Sequence, residues 1–443
     1  MSNKVPIVAI VGRTNVGKSS LFNKMVGYNQ AIVARESGTT RDSILGKVAH
    51  GDHQFWIVDT AGLKTAEDDF ELTIQEQISE AIASADIIMV VVDASTMIAD
   101  EDLKVAKLAV KSKTPTLLVI NKTDLAGKKA DFAHFRRLGI EPMLTTSVTQ
   151  TQGIENVLNN LVARLPKRTI TEDSDRLHVA LLGRPNVGKS NLFNTLAKKQ
   201  QAVVADVAGT TRDINRTVIK YHNREIELLD TAGIRRAGKI EVGIEKFSVL
   251  RSLRAIEEAD VCFLLMDVNE LGVQLDQKIA GMVKEAGKGL ILVVSKWDSA
   301  DKDAWTHDQL AAKISGDFQF APWAPLIFTS AVTGQNVTKL LDLVWEIDGR
   351  RHQTFKTSEL NKWMESVIER HPPAGLKNRH PKLNYMVHLA DEATPTFKIF
   401  GAHMDLLHWS YKRHMERRLR ETYDFVGTPI RLDFTEKHID RHK

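Results

Sequence analysis

Gly12-Arg13-Thr14-Asn15-Val16-Gly17-Lys18-Ser19 stands 171 residues ahead of Gly183-Arg184-Pro185-Asn186-Val187-Gly188-Lys189-Ser190. Both stretches fit GxxxxGK[ST], and both follow a short apolar run, VPIVAIVG in one case and HVALLGR in the other. Two more stretches repeat at the same spacing: GTTRD at Gly38 and Gly209, and DTAG at Asp59 and Asp230. One such loop arises by chance. Three motifs in one order and at one spacing, twice, do not. The chain carries two copies of a single phosphate-binding unit.

Outward from each loop, β-rich apolar runs alternate with helical segments. The runs are VPIVAIVG, FWIVDTAG, IIMVVVDA and TLLVINKTD in the first copy, and HVALLGR, EIELLDTAG, VCFLLMDV and LILVVSKWD in the second. Near-continuous Val/Ile/Leu runs suit parallel strands buried on both faces, and intervening helices give a doubly wound α/β sheet. Ligands bind at the carboxyl ends of such strands, where every motif here falls. The expected division is a first P-loop domain over 1–165, a polar linker over 166–176, a second P-loop domain over 177–349 and a smaller domain over 350–443. The last part reads as a helix from about Ser358, strands LNYMVHLA and TFKIFG, a helix from about Asp405 to Thr422, and strand PIRLDF. That order gives a small α+β domain without phosphate motifs.

The loop glycines let backbone N–H groups curl around phosphate oxygens at a helix N-terminus. Lys18 and Lys189 are expected on the β and γ phosphates, and Ser19 and Ser190 on Mg²⁺. Thr40 and Thr211 are chosen for the threonine that closes over Mg²⁺ and the γ-phosphate, with Thr39 and Thr210 the neighbours able to take that role. Asp59 and Asp230, at strand ends, are expected to hold Mg²⁺ through water. Within Asp59-Thr60-Ala61-Gly62-Leu63 and Asp230-Thr231-Ala232-Gly233-Ile234, Gly62 and Gly233 offer an N–H to the γ-phosphate.

Asn121-Lys122-Thr123-Asp124 follows the run TLLVI. A carboxylate at Asp124 can accept both N1–H and the exocyclic amine of guanine, donors that adenine lacks in that arrangement, so the base is guanine and the ligand GTP or GDP. Lys122 can lie along the base and brace the phosphate loop. Ser147 and Ala331, in TSV and TSA, fall where a short loop would touch the base O6. The second copy reads Ser295-Lys296-Trp297-Asp298, with Ser in place of Asn. Asp298 keeps the base-reading carboxylate, so guanine selectivity is expected with weaker bracing and lower affinity.

Hydrolysis needs a group to orient water and one to neutralise charge. Leu63 and Ile234 follow DTAG and cannot orient water. Asn15 and Asn186 each place an amide oxygen near the phosphates, where it could coordinate K⁺ in the role of an arginine finger or simply cap the loop backbone. The segments after DTAG also differ in charge: Glu67, Asp68, Asp69 and Glu71 in the first copy, Arg235, Arg236 and Lys239 in the second. An acidic segment docking on the third domain in one nucleotide state, and a basic one touching RNA, are the expectations.

Across 443 residues, 43% hydrophobic and 26% charged, the composition is that of an ordinary globular chain. One cysteine, Cys262, excludes a disulfide framework or a cysteine-rich metal site. The initial apolar stretch runs straight into the first loop and reads as a strand, and no apolar run approaches membrane-spanning length. A cytoplasmic monomer, without membrane insertion and without DNA as a partner, is expected. Net charge is +4 overall, yet residues 350–443 alone carry +6 and nine of the 15 histidines. That asymmetry points to a polyanion at the C-terminal part.

With these motifs assembled, the chain resembles the Der/EngA family of bacterial tandem-G-domain GTPases over nearly its whole length. RRAGKIEVGIEKFSVLRSLRAIEEAD after the second DTAG and RLRETYDFVGTPIRL near the end share in the likeness. The resemblance implies two G domains and a KH-like domain, GTP hydrolysis stimulated by K⁺ and coupled to large ribosomal subunit assembly, and rRNA as partner. A scaffold whose nucleotide occupancy matters more than its turnover is the alternative. Two positions depart from the family's pattern: Ser295 for the usual Asn, and Thr14 where the second loop has Pro185. Residues 350–443 contain no Gly-x-x-Gly, the loop with which KH domains clamp RNA. The basic turn 371–381 and the helix around Lys412–Arg420 are the expected phosphate contacts instead, with Tyr411, Met415 and Leu419 facing inward.

Overall fold

The computed structural model describes residues 5–28, 45–59, 79, 81, 84–127, 131–166, 176–199, 215–230, 249–300, 306–375 and 379–436. In the first copy β1 (Ile7–Val11), β2 (Leu45–His50), β3 (His53–Asp59), β4 (Ile87–Asp93), β5 (Thr116–Asn121) and β6 (Met143–Thr145) form a sheet of order β2-β3-β1-β4-β5-β6. In the second, β7 (Leu177–Leu182), β8 (Asn215–Tyr221), β9 (Arg224–Asp230), β10 (Val261–Asp267), β11 (Gly289–Ser295) and β12 (Leu326–Phe328) repeat that order as β8-β9-β7-β10-β11-β12. All neighbours pair in parallel except β2 with β3 and β8 with β9. The apolar runs supply the inner strands. The antiparallel edge strands were not among them, because LGKVAH and NRTVIKY mix polar and apolar residues as an edge allows.

Helices cover both faces. Ile154–Val162 buries Ile154, Val157, Leu158 and Leu161, one helical stripe, against the first sheet. The opposite face of that sheet does not end at the domain: Ile7, Trp56 and Val90 share one apolar cluster with Leu253, Ile256 and Leu264 of the second copy. Cys262, on β10, is fully buried, and burial pushes its thiol up to about 12.

The C-terminal part is a helix (Thr357–Arg370), β13 (Lys382–Leu389), β14 (Thr396–Ala402), a helix (Trp409–Thr422) and β15 (Arg431–Glu436), in a sheet of order β13-β14-β15. The last helix starts at Trp409 and not near Asp405. Met404 and Leu407 are buried in a short turn, and a His408 ring nitrogen caps the helix by accepting from the Ser410 N–H at 3.3 Å. Arg351 locks this part to the second copy. It is buried and donates to the carbonyls of Gly287 (2.9 Å) and Ala393 (2.8 Å). Among the described residues no helix is long and apolar enough to cross a membrane.

Candidate nucleotide sites

Each phosphate loop joins the end of β1 or β7 to a helix, Lys18–Tyr28 or Lys189–Lys199. Asn15 and Asn186 take left-handed backbone angles, φ 64° and 63°, a conformation asparagine tolerates better than most residues. The Lys18 ammonium is buried and donates to the carbonyls of Gly12 (2.8 Å) and Arg13 (2.6 Å); Lys189 does the same with Gly183 (3.0 Å) and Arg184 (2.6 Å). Burial lowers the pKa of Lys18 below the ordinary lysine range, against the pull of Asp59. Asp59, also buried, accepts a short hydrogen bond from the Ser19 hydroxyl, so two of the three expected metal ligands of the first site stand side by side. Asp230 ends β9 in the corresponding place, though its side chain lies outside the described residues.

The base-side loop braces the phosphate loop. The Asn121 amide donates to the Val16 carbonyl (3.0 Å) and its oxygen accepts from the Thr146 hydroxyl (3.1 Å). Lys122 donates to the Asn15 carbonyl (2.6 Å) and pairs with Asp93 (2.7 Å). Burial would raise the Asp93 carboxyl, but Lys122 and Ser95 outweigh it and hold the group below the usual range. In the second copy the Ser295 hydroxyl lies 2.6 Å from the Val187 carbonyl and 3.0 Å from that of Met266, and Lys296 pairs with Asp267 at 2.7 Å. The serine keeps the strap to the loop and loses the tie to the opposite side. Asp124 is half-buried and Asp298 exposed. Trp297 is buried against Phe328, ring centroids 4.7 Å apart, whereas Thr123 bonds the Thr146 carbonyl through its N–H (3.2 Å) and hydroxyl (3.1 Å).

Ser147 and Ala331 are not equivalent positions. The Thr123 N–H donates to the carbonyl of Thr146 and the Trp297 N–H to that of Thr329, which aligns Ser147 with Ser330 and Val148 with Ala331. Both serines are buried and use their hydroxyls on the N–H three residues on, Gln150 and Thr333, at 3.1 Å. The motif words TSV and TSA concealed that one-residue offset.

Three acids went unnoticed in the motifs. Arg13 pairs with Asp102 (3.2 Å), and Arg184 with Asp276 (3.2 Å) and Glu270 (2.9 Å). Asp102 and Asp276 stand 174 residues apart, as do Asp93 and Asp267, and as do Asn121 and Ser295. Scanning that second spacing for acids would have found the two aspartates, though not Glu270, which stands opposite Thr96. Thr39, Thr40, Thr60, Ala61, Gly62 and Leu63, with Thr210, Thr211, Thr231, Ala232, Gly233 and Ile234, lie outside the described residues. So do the acidic segment Glu67 to Glu71 and the basic segment Arg235 to Lys239.

On the C-terminal part, Tyr411, Met415 and Leu419 of the helix Trp409–Thr422 point into the core. Its outward side carries exposed Arg413 and Arg417 and half-buried His414 and Arg418. Arg413 lies over the Trp409 ring at 4.8 Å, and His414 stands 4.8 Å from the His371 ring that opens the basic turn.

Residues 7–122 and 178–296 match a family described as "50S ribosome-binding GTPase", and residues 355–435 one described as "KH-domain-like of EngA bacterial GTPase enzymes, C-terminal". The chain is 44% identical to GTPase Der of Chloroflexus aggregans, over 98% of each chain. It is 41% identical to GTPase Der of Herpetosiphon aurantiacus, over 97% of this chain and 96% of that one. With GTPase Der of Thermomicrobium roseum it shares 39% identity over 98% of this chain and 96% of that one.

Proposed function

We propose, for a chain that belongs to the Der (EngA) family of GTPases, that GTP hydrolysis at its two sites governs attachment to the assembling large ribosomal subunit through rRNA. The observation that carries this reading is the joining of two complete phosphate loops to a C-terminal domain whose outward helix bears Arg413, His414, Arg417 and Arg418. Lys18 and Lys189 would neutralise the phosphates, and Asp124 and Asp298 would read guanine. Val148 or Ser147 in the first site, and Ala331 or Ser330 in the second, would lie along the base. The hard oxygen donors of Ser19 and Asp59, already adjacent, fit Mg²⁺, and Ser190 and Asp230 are their counterparts, with Thr40 and Thr211 completing the set. Mg²⁺ when bound supplies charge neutralisation on the phosphate oxygens. Gly62 and Gly233 would offer N–H groups to the γ-phosphate.

Among the described residues the side chains of Asn15 and Asn186 make no hydrogen bond to their own loops, and both are exposed. That favours K⁺ coordination by the amide oxygens over loop capping. Replacing K⁺ by Na⁺ at equal ionic strength should lower turnover about tenfold or more, since charge stabilisation at a transferring phosphoryl group is worth at least that. Equal rates in the two salts would exclude the role. Cytoplasmic action as a monomer completes the reading.

The ribosomal part is tested by sedimenting the chain with ribosomal subunits in the presence of a non-hydrolysable GTP analogue or of GDP. Selective recovery with the large subunit in one nucleotide state is expected. Arg413→Glu with Arg417→Glu should weaken it strongly, and the binding that remains should show a flatter salt dependence. Recovery independent of nucleotide would overturn the switch, and no recovery in any state would overturn the ribosomal partner.

A further inference from the structure

The two sites brace their phosphate loops differently, and the differences run in opposite directions. In the first, the amide of Asn121 presses on the loop so closely that a Cβ on Gly17 would stand 2.4 Å from its nitrogen. In the second, the shorter Ser295 leaves nothing nearer than 3.9 Å to the same point on Gly188. The Ser295 hydroxyl, with a single proton, is also shared between the Val187 and Met266 carbonyls. The loop arginines show the reverse. Arg13 meets Asp102 at one oxygen through an Nε that makes no aligned hydrogen bond, one terminal nitrogen donates to the neutral Thr96 hydroxyl where the second copy has Glu270, and Asp102 Oδ1 has no partner among the described residues. Arg184 is engaged at all three nitrogens: Nε with both Asp276 oxygens (3.2 Å each), one terminal nitrogen with the Glu270 carboxylate (2.9 Å), the other with the Glu270 carbonyl (2.9 Å).

A planar guanidinium held on several edges fixes the backbone that carries it, as a buried amide-to-carbonyl tie does. We propose that Asp276, with Glu270, is a positioning residue for the second nucleotide site, clamping Arg184 so as to give loop 183–190 the rigidity that Asn121 gives loop 12–19. The clamp substitutes for the amide that Ser295 lacks. It also commits Arg184 to the protein, so that this arginine is a strut and not a phosphate ligand. The proposal rests on reading residues 183–190 as a nucleotide site.

Each site is isolated by disabling the other, with Lys18→Ala or with Lys189→Ala, and followed by titration with a fluorescent GDP analogue and by steady-state GTP hydrolysis. Binding in the Lys18→Ala protein tests the underlying reading first; its absence would sink that reading and the clamp with it. In that background Asp276→Asn should raise KM about tenfold or more with a smaller change in kcat, the scale of loss when a partner that orients a ligating group is removed. Asp102→Asn in the Lys189→Ala protein should change KM less than about threefold, because Asn121 carries that loop. Adding Ser295→Asn to Asp276→Asn should restore most of the lost affinity, a coupling that a double-mutant cycle reads directly. Glu270→Gln removes one arm without stranding a buried charge and should give an intermediate loss.

The Asp276 carboxyl is pushed up to about 6 by burial, against Arg184, with Glu270 adding to the rise and Lys189 opposing it. Second-site KM should therefore climb as pH falls below about 6, and Asp276→Asn should flatten that limb. Equal losses from Asp102→Asn and Asp276→Asn, or no recovery on adding Ser295→Asn, would overturn the proposal.

Discussion

His178, on β7, has both ring nitrogens engaged, Nδ1 with Asp260 at 3.2 Å and Nε2 with Glu227 at 3.1 Å. The hydrogen bonds to Asp260 and Glu227 outweigh burial and raise its pKa from 6.5 to about 9. The folded chain therefore holds a proton that the unfolded chain releases near pH 6.5. The stabilisation is complete below that value and is lost as pH rises through about 9. After discounting for partial solvent screening, about 1–2 kcal/mol is expected. Melting temperature followed from pH 6 to 10 should fall more for the native chain than for His178→Gln, and parallel curves would remove His178 from the account. None of this was legible in the sequence, where His178 is one polar residue in HVALLGR. Its partners lie on β9 and just before β10, and only the sheet order brings them together. The phosphate loops were legible because the glycines, lysine and serine that define them are contiguous.

The helix Val249–Glu258 shows what an element adds. It buries Val249, Leu250, Leu253 and Ile256 and carries at its far end the residues that hold the other copy. Glu257 accepts from the Val5 N–H (3.2 Å) and from the Trp56 indole N–H, while Arg254 reaches both oxygens of Asp86 at 3.0 and 3.2 Å. Glu257→Ala strands two donors, one of them fully buried, and should cost about 2–4 kcal/mol. Calorimetry should show the first G domain melting earlier than the rest; one unchanged cooperative transition would mean that the apolar cluster alone joins the copies. Elements with continuous apolar runs were readable from composition. The edge strands β2 and β8 were not, because alternation with lysine, histidine and arginine blurs their period. The start of the last helix was misplaced because MDLL looks helical, whereas Met404 and Leu407 are spent on the core.

At the scale of the molecule, the repeat keeps its spacing through DTAG and shifts by three residues before β4 and β10. Before the shift stand the phosphate-loop and DTAG motifs, together with Val5, Ile7 and Trp56 of the contact between the copies. After it come the base loop, the arginine clamp and the other contacts between domains, and there the copies differ. The third domain hangs on the second through Arg351, through the Leu290 N–H on the Gly427 carbonyl (2.9 Å), and through the Gly427 N–H on that of Trp323 (2.7 Å). Arg351→Ala leaves the Ala393 carbonyl without its donor and the Gly287 carbonyl with the Thr394 hydroxyl alone, and should cost about 2–3 kcal/mol. Protease cleavage in the native state should then fall near residues 351–356, and an unchanged digestion pattern would show the backbone contacts to suffice.

The lone thiol of Cys262 sits inside β10 with its ionisation suppressed by burial, so the folded chain presents no reactive sulfur to solvent. The molecule is thus ready-made for optical ruler experiments. A pair of cysteines placed on the outer helices of any two domains would take up dyes alone, with no native residue to remove. Nucleotide-driven movements could then be followed one molecule at a time in an otherwise unaltered protein.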